Sequence, residues 1–205
     1  MNFRILPVAI VSSLLLLVSA HAQQTATQAA VKRSPAETYC IQKGGQVVDR
    51  MPYYGTNNSN PLRLAGSQKF CQFTAHDGSR IHALLSTLYA TAPTLAALAY
   101  YAQVPFDGTG CVGNPGSCYC SQLGGTDLFG GKNLGGGGWV TSDPNNVDQT
   151  LEACIFPDLS SIDSWGLTYH SVGIIRGQNL HHSLRYKDPY HTAAAVFAKK
   201  APSSN

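Results

Sequence analysis

The sequence NPGSCYCSQLGG, residues 114–125, repeats with variation the earlier sequence SPAETYCIQKGG, residues 34–45. Both segments read Ser or Asn, Pro, three free positions, Tyr, Cys, a free position, Gln, a free position and two glycines. A pattern of this length is not expected to recur by chance in one chain. We therefore interpret it as the start of a structural unit that occurs twice.

Each copy of the pattern predicts a short helix. Ser34 is a good N-cap, Pro35 suits the first helical position, and Glu37 completes a capping box. Asn114 and Pro115 occupy the same positions in the second copy. The two glycines that close each segment end the helix. Each unit therefore begins with a helix that has Tyr and Cys near its C-terminal end.

The similarity continues after each helix. Residues 71–73, Cys-Gln-Phe, match residues 154–156, Cys-Ile-Phe, and the alternation places Cys and Phe on one face of a strand. An acidic turn follows in both copies, and we expect Ser79 and Ser160 to cap a second helix. The apolar positions at helical spacing in that second helix are Ile81, Leu84, Leu85 and Leu88 in the first copy and Ile162, Trp165 and Tyr169 in the second.

These patterns predict an α+β fold of two small tandem modules, each stapled by a disulfide and each built as helix, strand, strand, helix. We expect the first strand of the first module at residues 46–51. A helical linker joins the modules, and a polar, His-rich tail follows the second one. The predicted segments are the first module (34–90), the linker (91–113), the second module (114–177) and the tail (178–205).

The first 22 residues have the order of a cleaved secretory signal peptide. Arg4 precedes an apolar run, and the run ends in small residues at Ala22. We therefore expect cleavage near Ala22 and a secreted or periplasmic protein, with loose tails at 23–33 and 192–205. Because Arg4 is the only charged residue removed, the formal net charge of +3 falls by one.

All six cysteines lie after the predicted cleavage position. An even number of cysteines in an exported chain indicates a disulfide framework, although the count alone leaves many connectivities open. Each copy has one cysteine on its helix and one on a strand, so the repeat pairs these two. The predicted disulfides are Cys40–Cys71 and Cys120–Cys154, with Cys111–Cys118 by elimination.

The second copy resembles the exported bacterial module called domain of unknown function 333, which is often labelled a hemolysin. The matching residues are Asn114-Pro115, Tyr119-Cys120, Gly124-Gly125, Cys154-x-Phe156 and, after the acidic turn, Trp165. The first copy resembles the family less closely, since Ser34 replaces Asn and Leu84 stands where the second copy has Trp165. The resemblance covers about residues 34–90 and 114–177, and it implies the modular architecture and export without assigning an activity.

Two sets of side chains have the donor types of a metal site. Cys111, Cys118 and Cys120 with a nearby His could bind zinc, but export favours disulfides at these positions. The second set is His170, His181, His182 and His191, with Asp188 nearby. No pair among the histidines has the four-residue spacing of helical ligands, so we interpret them as a solvated tail and expect no metal ion.

The sequence contains no convincing catalytic motif. A Gly-x-Ser-x-Gly elbow is missing, and Asp77 and Asp158, one in each copy, fit acidic turns as well as paired catalytic carboxylates. The glycine-rich segment 129–139 lacks the Gly-Lys-Ser/Thr of a phosphate loop and predicts a flexible loop. Trp139 at its end is either a binding aromatic or an anchor to the core. We expect no catalytic residues and no cofactor.

Residues 83–104 contain no charge and are long enough to span a bilayer. Pro93 interrupts them, and Thr91 or Thr94 can cap a new helix after the break. We therefore predict two short helices packed on the modules and do not expect membrane insertion. Lys and Arg form no cluster larger than the adjacent pairs 32–33 and 199–200, so nucleic-acid binding is not expected either.

The sequence favours an exported, non-enzymatic binding module of unknown molecular activity. It would present its long loops, residues 52–69 and 126–150, to a protein or cell-surface partner, and inhibition of an extracellular protease is one special case. One alternative is a membrane-active, hemolysin-like protein that inserts residues 83–104. Another is a secreted hydrolase that uses His170, His181 or Asp158.

The intact mass of the secreted protein, measured without reductant, tests export and disulfide formation together. We expect a chain that starts at Gln23 and weighs six hydrogens less than the reduced form, because six cysteines form three disulfides. A mass that indicates free thiols and a bound metal would contradict this prediction. Chemistry at Cys111, Cys118 and Cys120 would then replace the scaffold interpretation.

Overall fold

Helices cover one face of an antiparallel sheet in the computed structural model of the chain, which describes residues 32–127, 135–141 and 150–190. The described residues from Arg33 onward belong to one compact unit. The predicted signal peptide and the C-terminal tail from residue 191 lie outside the described residues. The α+β class and its disulfides are as the sequence predicts.

The elements before residue 105 are α1 (Pro35–Gln42), β1 (Gln46–Tyr54), β2 (Leu62–Arg63), β3 (Gln68–Thr74), β4 (Arg80–Leu84), α2 (Leu85–Tyr89) and α3 (Leu95–Ala102). Those after it are α4 (Pro115–Gln122), β5 (Gly137–Thr141), β6 (Ala153–Ile155), β7 (Ser161–Asp163), α5 (Ser164–Ser171) and α6 (Leu180–Ser183). The strands lie in the order β2-β1-β3-β4-β7-β6, and β5 also pairs with β1. The pairing of Ala83 with Ile162 joins β4 to β7, so both halves of the chain contribute to one sheet.

The predicted caps of α1 and α4 are confirmed. The Ser34 hydroxyl accepts a hydrogen bond from the Glu37 N–H, and the Ser34 N–H donates to the Glu37 carboxylate at 2.6 Å. The Asn114 side-chain oxygen accepts from the N–H groups at the start of α4. Gly44 and Gly124 follow the two helices with φ near +84° and +83°, a conformation that side chains disfavour.

The sheet separates two apolar clusters. Cys71 and Phe73 of β3 point toward the helices, where the main core lies, whereas Phe70 points to the opposite face. On that opposite face Phe70 packs with Leu151, Ala153 and the ring of Trp139. Trp139 therefore anchors β5 to the sheet.

Three disulfides join the predicted cysteine pairs, Cys40–Cys71, Cys111–Cys118 and Cys120–Cys154. The first and third link a helix to a strand, α1 to β3 and α4 to β6. A glycine stands against each of these two bonds. A Cβ atom on Gly45 would lie 2.3 Å from the Cys71 sulfur, and one on Gly125 would lie 2.4 Å from the Cys154 sulfur. The second glycine of each repeated segment therefore makes room for the disulfide.

The predicted position of the second helix in each copy is wrong at its start. Ser79 and Ser160 do not begin the predicted second helices, because Ile81 and Ile162 lie in strands β4 and β7. The Asp77 carboxylate accepts from the Ser79 N–H, which closes a turn and sends the chain back along β3. The N-cap of α5 is Asp163 instead. The apolar spacing that resembles a helix arises because a strand runs directly into a helix.

Both predicted long loops contain strands. The segment 52–69 includes the end of β1, all of β2 and the start of β3, and the segment 126–150 includes β5. Gly138 allows β5 to lie close to Leu151. Its φ is +151°, and a Cβ atom there would lie 2.9 Å from the Leu151 oxygen. Glycine lets the strand bridge to Leu151 at close range. Residues 129–134 of the glycine-rich segment lie outside the described residues.

The uncharged segment 83–104 is divided among β4, α2 and α3, and Thr94 caps α3 as predicted. Among the residues that the structure describes, no helix has the length and apolar character needed to cross a bilayer. The predicted polar tail begins with a packed segment rather than a solvated one, because Leu180 and Leu184 are fully buried.

Substitution of Gly45 by alanine tests the role of the second glycine. We expect Gly45→Ala to prevent or distort the Cys40–Cys71 bond and to lower the free energy of unfolding by about 3–4 kcal/mol, as loss of a disulfide closing a loop of this length would. Urea denaturation and a thiol count under non-reducing conditions measure both effects.

The neighbouring Gly44 provides the matched control. A Cβ atom there meets nothing within 4 Å, so Gly44→Ala should cost only the strain of its positive φ, about 1 kcal/mol. Equal denaturation midpoints for the two variants, with all thiols oxidised, would contradict the prediction.

Candidate functional site

Polar side chains from four strands lie on the face of the sheet opposite the main core. They are Arg50 of β1, Gln72 of β3, His82 of β4 and Asp163 of β7. Arg50, His82 and Asp163 are 0%, 3% and 6% exposed. Charged groups at this depth are costly unless they are paired and hydrogen-bonded, so their mutual contacts are essential. We call these four residues the polar row.

The contacts within the polar row are continuous. His82 Nδ1 lies 3.0 Å from Asp163 Oδ2, and His82 Nε2 lies 3.0 Å from Gln72 Oε1 and 3.1 Å from Arg50 Nη2. Arg50 Nη1 also donates to the Trp139 carbonyl at 3.1 Å. The other Asp163 oxygen accepts from the Gly166 N–H and caps α5. Loss of one charged partner from such a network typically costs about 3–5 kcal/mol.

Sheet register brings the row together. Gln72 is the direct cross-strand partner of His82. The pairing of Ala83 with Ile162 places His82 beside Asp163, because register in an antiparallel pair advances by one residue on each strand. Arg50 lies on β1, and its long side chain extends past β3 to reach His82 on β4. The row therefore crosses the junction between β4 and β7, which we call the seam.

A cleft of about 160 Å³ opens above the seam. Its lining comes from three parts of the chain, namely Gly78, Arg80 and His82 around the start of β4, residues 150–152 before β6, and Asp163, Trp165 and Arg176 from β7 onward. Most of these side chains are polar or charged. The cleft therefore resembles a binding site for a polar molecule more than an apolar pocket.

Gly177 positions one wall of the cleft. Its φ is +64°, and a Cβ atom there would lie 2.3 Å from the Phe73 oxygen and 2.7 Å from the Ile81 nitrogen. The Gly177 N–H also donates to the Ser79 hydroxyl. The chain after α5 thus lies directly against the β3–β4 hairpin, which carries Arg176 to the cleft. The Arg176 guanidinium stands 5.0 Å from the centre of the Tyr169 ring.

The lining of the cleft includes the carboxylate of Glu152, which is not part of the polar row. The Asn114 amide donates to both of its oxygens, at 2.8 and 2.7 Å. Burial raises the pKa of Glu152, and the negative charges of Asp127 and Asp163 raise it further. Asn114 also caps α4, so one side chain connects the repeated helix to the cleft.

The histidines considered from the sequence lie elsewhere. His170 stacks on Tyr100 with ring centres 3.9 Å apart, and His181 stacks on Tyr101. Burial raises the pKa of Tyr100 to about 12, and its hydroxyl accepts from the Leu180 N–H. The prediction of a solvated histidine tail is therefore wrong for His170 and His181, which pack in an aromatic cluster between helices.

The predicted carboxylate pair has structural roles. Asp158 accepts hydrogen bonds from Ser160 and from the Leu95 N–H at the start of α3. Partial burial acts to raise the pKa of Asp158, but the hydrogen bonds together have the larger effect. The pKa of Asp158 is therefore lower than that of an ordinary aspartate. Asp77 closes the corresponding turn before β4. The two carboxylates therefore shape separate turns.

The zinc alternative at Cys111, Cys118 and Cys120 conflicts with the disulfides that these sulfurs form. Within residues 32–127, 135–141 and 150–190, the geometry brings no three potential ligands together around a metal position. His182 is exposed, and His191 lies outside the described residues.

Sequence reasoning missed Arg50, Gln72, His82, Glu152 and Asp163 as site residues. One signal was present: the alignment that matches Ser79 with Ser160 and Ile81 with Ile162 also matches His82 with Asp163. Complementary residues at equivalent positions of a repeat suggest a contact between copies. Arg50 and Glu152 meet their partners through tertiary packing, which leaves no comparable pattern in the sequence.

Comparison of the chain with models of protein families, with characterised proteins and with solved structures finds no match. The chemistry of the cleft therefore rests on its own residues. Its lining includes Arg80, Arg176 and Glu152 together with the paired His82 and Asp163.

Replacement of Glu152 by glutamine tests the environment of the cleft. The folded state raises the pKa of Glu152, so the folded protein holds its proton more tightly than the unfolded chain, and stability falls as pH rises above the ordinary glutamate pKa. We expect Glu152→Gln to raise the free energy of unfolding at pH about 7, by at most about 1 kcal/mol because water screens this partly buried group. The gain should disappear near pH 4. Denaturation at both pH values measures it.

Glu37 supplies a control of opposite sign. Its hydrogen bond with Lys69, together with those from Ser34, lowers the pKa of Glu37 to about 2. Glu37→Gln should therefore reduce stability above the ordinary glutamate pKa, and the loss should shrink as pH falls toward 2. The same pH dependence for both variants would show that Glu152 is not in the environment described.

Proposed function

We propose that the protein is an exported, non-enzymatic binding protein whose ligand site is the cleft above the seam. The observation that carries this proposal is a polar cleft with charges of both signs above a buried, continuously hydrogen-bonded floor. Convergent polar groups in a cleft fix the orientation of a bound small molecule and provide specificity. The rigid floor holds the lining side chains in place before a ligand arrives, which favours affinity.

The proposal includes two tandem modules, and equivalent details support that arrangement. Gly78 and Leu159 occupy the same place in the two turns, and both have positive φ, +81° and +62°. Ser79 accepts from the Gly177 N–H, and Ser160 accepts from the Ala96 N–H. A leucine in a left-handed conformation is unusual, so its presence where the first copy has glycine favours a common architecture over coincidence.

The seam lies between the proposed modules. The two copies meet where β4 pairs with β7, and His82 and Asp163 are the equivalent residues that touch there. Such a junction between two related units is a common place for ligand sites, since each unit contributes one wall. Arg80 comes from the first module, and Glu152 comes from the second.

Binding is favoured over hydrolysis by the orientation of His82. In a serine hydrolase, the histidine contacts an aspartate through one ring nitrogen and the nucleophile through the other. His82 has the aspartate contact, but its Nε2 faces Gln72 and Arg50 within the polar row. The histidines and the aspartate first considered for hydrolysis have packing and capping contacts instead.

Export is supported by the three disulfides, because such bonds persist in oxidising compartments. The predicted signal peptide, residues 1–22, lies outside the described residues. Membership of the family of domain of unknown function 333 is likewise part of the proposal. The disulfide that links helix and strand in each copy supports it.

Chemical-shift screening of the isotopically labelled mature protein tests the binding proposal. A panel of sugars, amino acids, nucleotides and short peptides would be titrated while backbone amide and tryptophan indole signals are followed. We expect at least one compound to cause saturable shifts of Gly78, Trp165 and Gly177, because these residues line or border the cleft.

A pair of bulky substitutions controls for binding elsewhere. Thr150→Trp fills the cleft and should abolish the shifts, whereas Thr109→Trp, in an exposed loop outside the cleft, should leave them unchanged. No saturable binding across the panel, or binding that Thr150→Trp does not affect, would refute the cleft as the ligand site.

A further inference from the structure

An apolar groove runs along α3 on the helical side of the sheet, and it shares no residue with the cleft. Its volume of about 480 Å³ leaves room for more than one side chain. We call this feature the α3 groove. Its lining is mostly apolar and includes Leu95, Leu98 and Ala102 of α3, Val104, Leu123 and Phe156.

Three aliphatic side chains of the α3 groove are exposed to solvent. Leu95, Leu98 and Val104 are 42%, 37% and 39% exposed. The two leucines are three residues apart on α3, so they lie side by side on one face of the helix. Contiguous apolar surface of this kind marks a place where another apolar element binds.

The chain passes beside α3 shortly before the end of the described residues. The Tyr101 hydroxyl donates to the Tyr186 carbonyl at 2.9 Å, and the two rings stand 6.2 Å apart. Tyr101 follows Leu98 by three residues, so Tyr186 lies next to the turn of α3 that carries this leucine. Tyr190, four residues later, is at most about 14 Å from Tyr186. The chain therefore reaches residue 191 close to the α3 groove.

The sequence that follows has a composition suited to an apolar groove. Residues 193–198 read Ala-Ala-Ala-Val-Phe-Ala, and the two lysines 199–200 come directly after them. Phe197 is seven residues beyond Tyr190 and can lie up to about 23 Å from it. The eight residues of α3 extend over only about 12 Å. The segment is therefore long enough to lie along the whole groove.

Charge indicates the direction in which the segment lies. The exposed Asp158 stands at the N-terminal end of α3, where its carboxylate accepts from the Leu95 N–H at 2.8 Å. The preceding residue, Pro157, lines the groove. The lysines 199–200 meet this carboxylate if the apolar residues run along the groove toward Leu95. A surface ion pair adds little to stability, so the apolar contacts hold the segment and the lysines set its direction.

From these observations we propose that residues 193–200 dock into the α3 groove of their own chain. The side chains of Val196 and Phe197 cover the exposed leucines of α3, and the lysines lie beside Asp158. The loose tail predicted from residue 192 would then begin after residue 200. This docking concerns a surface separate from the cleft and does not depend on the proposed function.

A spin label placed after the lysines tests the docking in the mature protein. The six cysteines all form disulfides, so a cysteine introduced as Ser203→Cys can be labelled selectively. We expect the label to broaden the amide signals of Leu95, Leu98 and Val104. The signal of Leu62 should stay sharp, because β2 lies at the opposite edge of the sheet from β6, which precedes Phe156. Chemical reduction of the label should restore all signals.

Paired substitutions test the contacts from both sides. Phe197→Ser should abolish the broadening, whereas Tyr190→Ser, which removes an aromatic ring that is 83% exposed, should leave it unchanged. On the groove, Leu98→Ser should abolish the broadening, and Leu62→Ser, at an exposed leucine of β2, should not.

Trypsin gives an independent measure, since proteolysis follows the population of the undocked form. We expect cleavage after residues 199 and 200 to be about tenfold faster in Phe197→Ser than in the parent protein, because burial of a Phe side chain is worth at least this factor. Cleavage after the exposed Lys32 should occur at the same rate in both proteins.

The remaining outcomes would overturn the proposal. Equal broadening at Leu62 and Leu98, or broadening and cleavage rates that Phe197→Ser does not change, would show that the segment does not occupy the groove. Broadening in a mixture of spin-labelled chains and separate isotope-labelled chains would assign the groove to a second copy of the chain. No broadening in either sample would exclude both occupants.

Discussion

The contact between His82 and Asp163 is the constraint on which the rest of the structure depends. It depends on the register that pairs Ala83 with Ile162, because a slip of β7 by one residue would turn the Asp163 side chain toward the apolar core. The same aspartate caps α5 and thereby sets the direction of the chain toward Arg176. Sheet register, helix start and cleft wall are thus determined together.

The buried Arg50 shows how the sheet tolerates charge on its inner positions. Its guanidinium contacts one carbonyl and two side chains from neighbouring strands, which distribute the charge over a network instead of a single partner. Networks of this kind are costly when incomplete and rigid when satisfied. A rigid floor is useful beneath a cleft, because the lining side chains then lose little freedom on binding.

Local signals predicted the local features well. The caps of α1 and α4, the glycine stops and the pairing of the cysteines all follow from residues within the repeated segments. The strand nature of residues 80–84 and 161–163 was missed, because a strand that continues into a helix gives apolar spacing that resembles a single helix. The site itself was not predicted, because Arg50 and His82 meet their partners through sheet pairing and Glu152 meets Asn114 through tertiary packing.

The seam has a consequence for how such a protein can arise. Under the proposed tandem arrangement, His82 and Asp163 are counterparts that face each other across the seam. Two identical modules would place two histidines or two aspartates at this point, and two buried carboxylates repel each other. A freely associating homodimer of the second half would therefore be disfavoured. Within one chain the two positions can differ, so that an imidazole always meets a carboxylate at the junction.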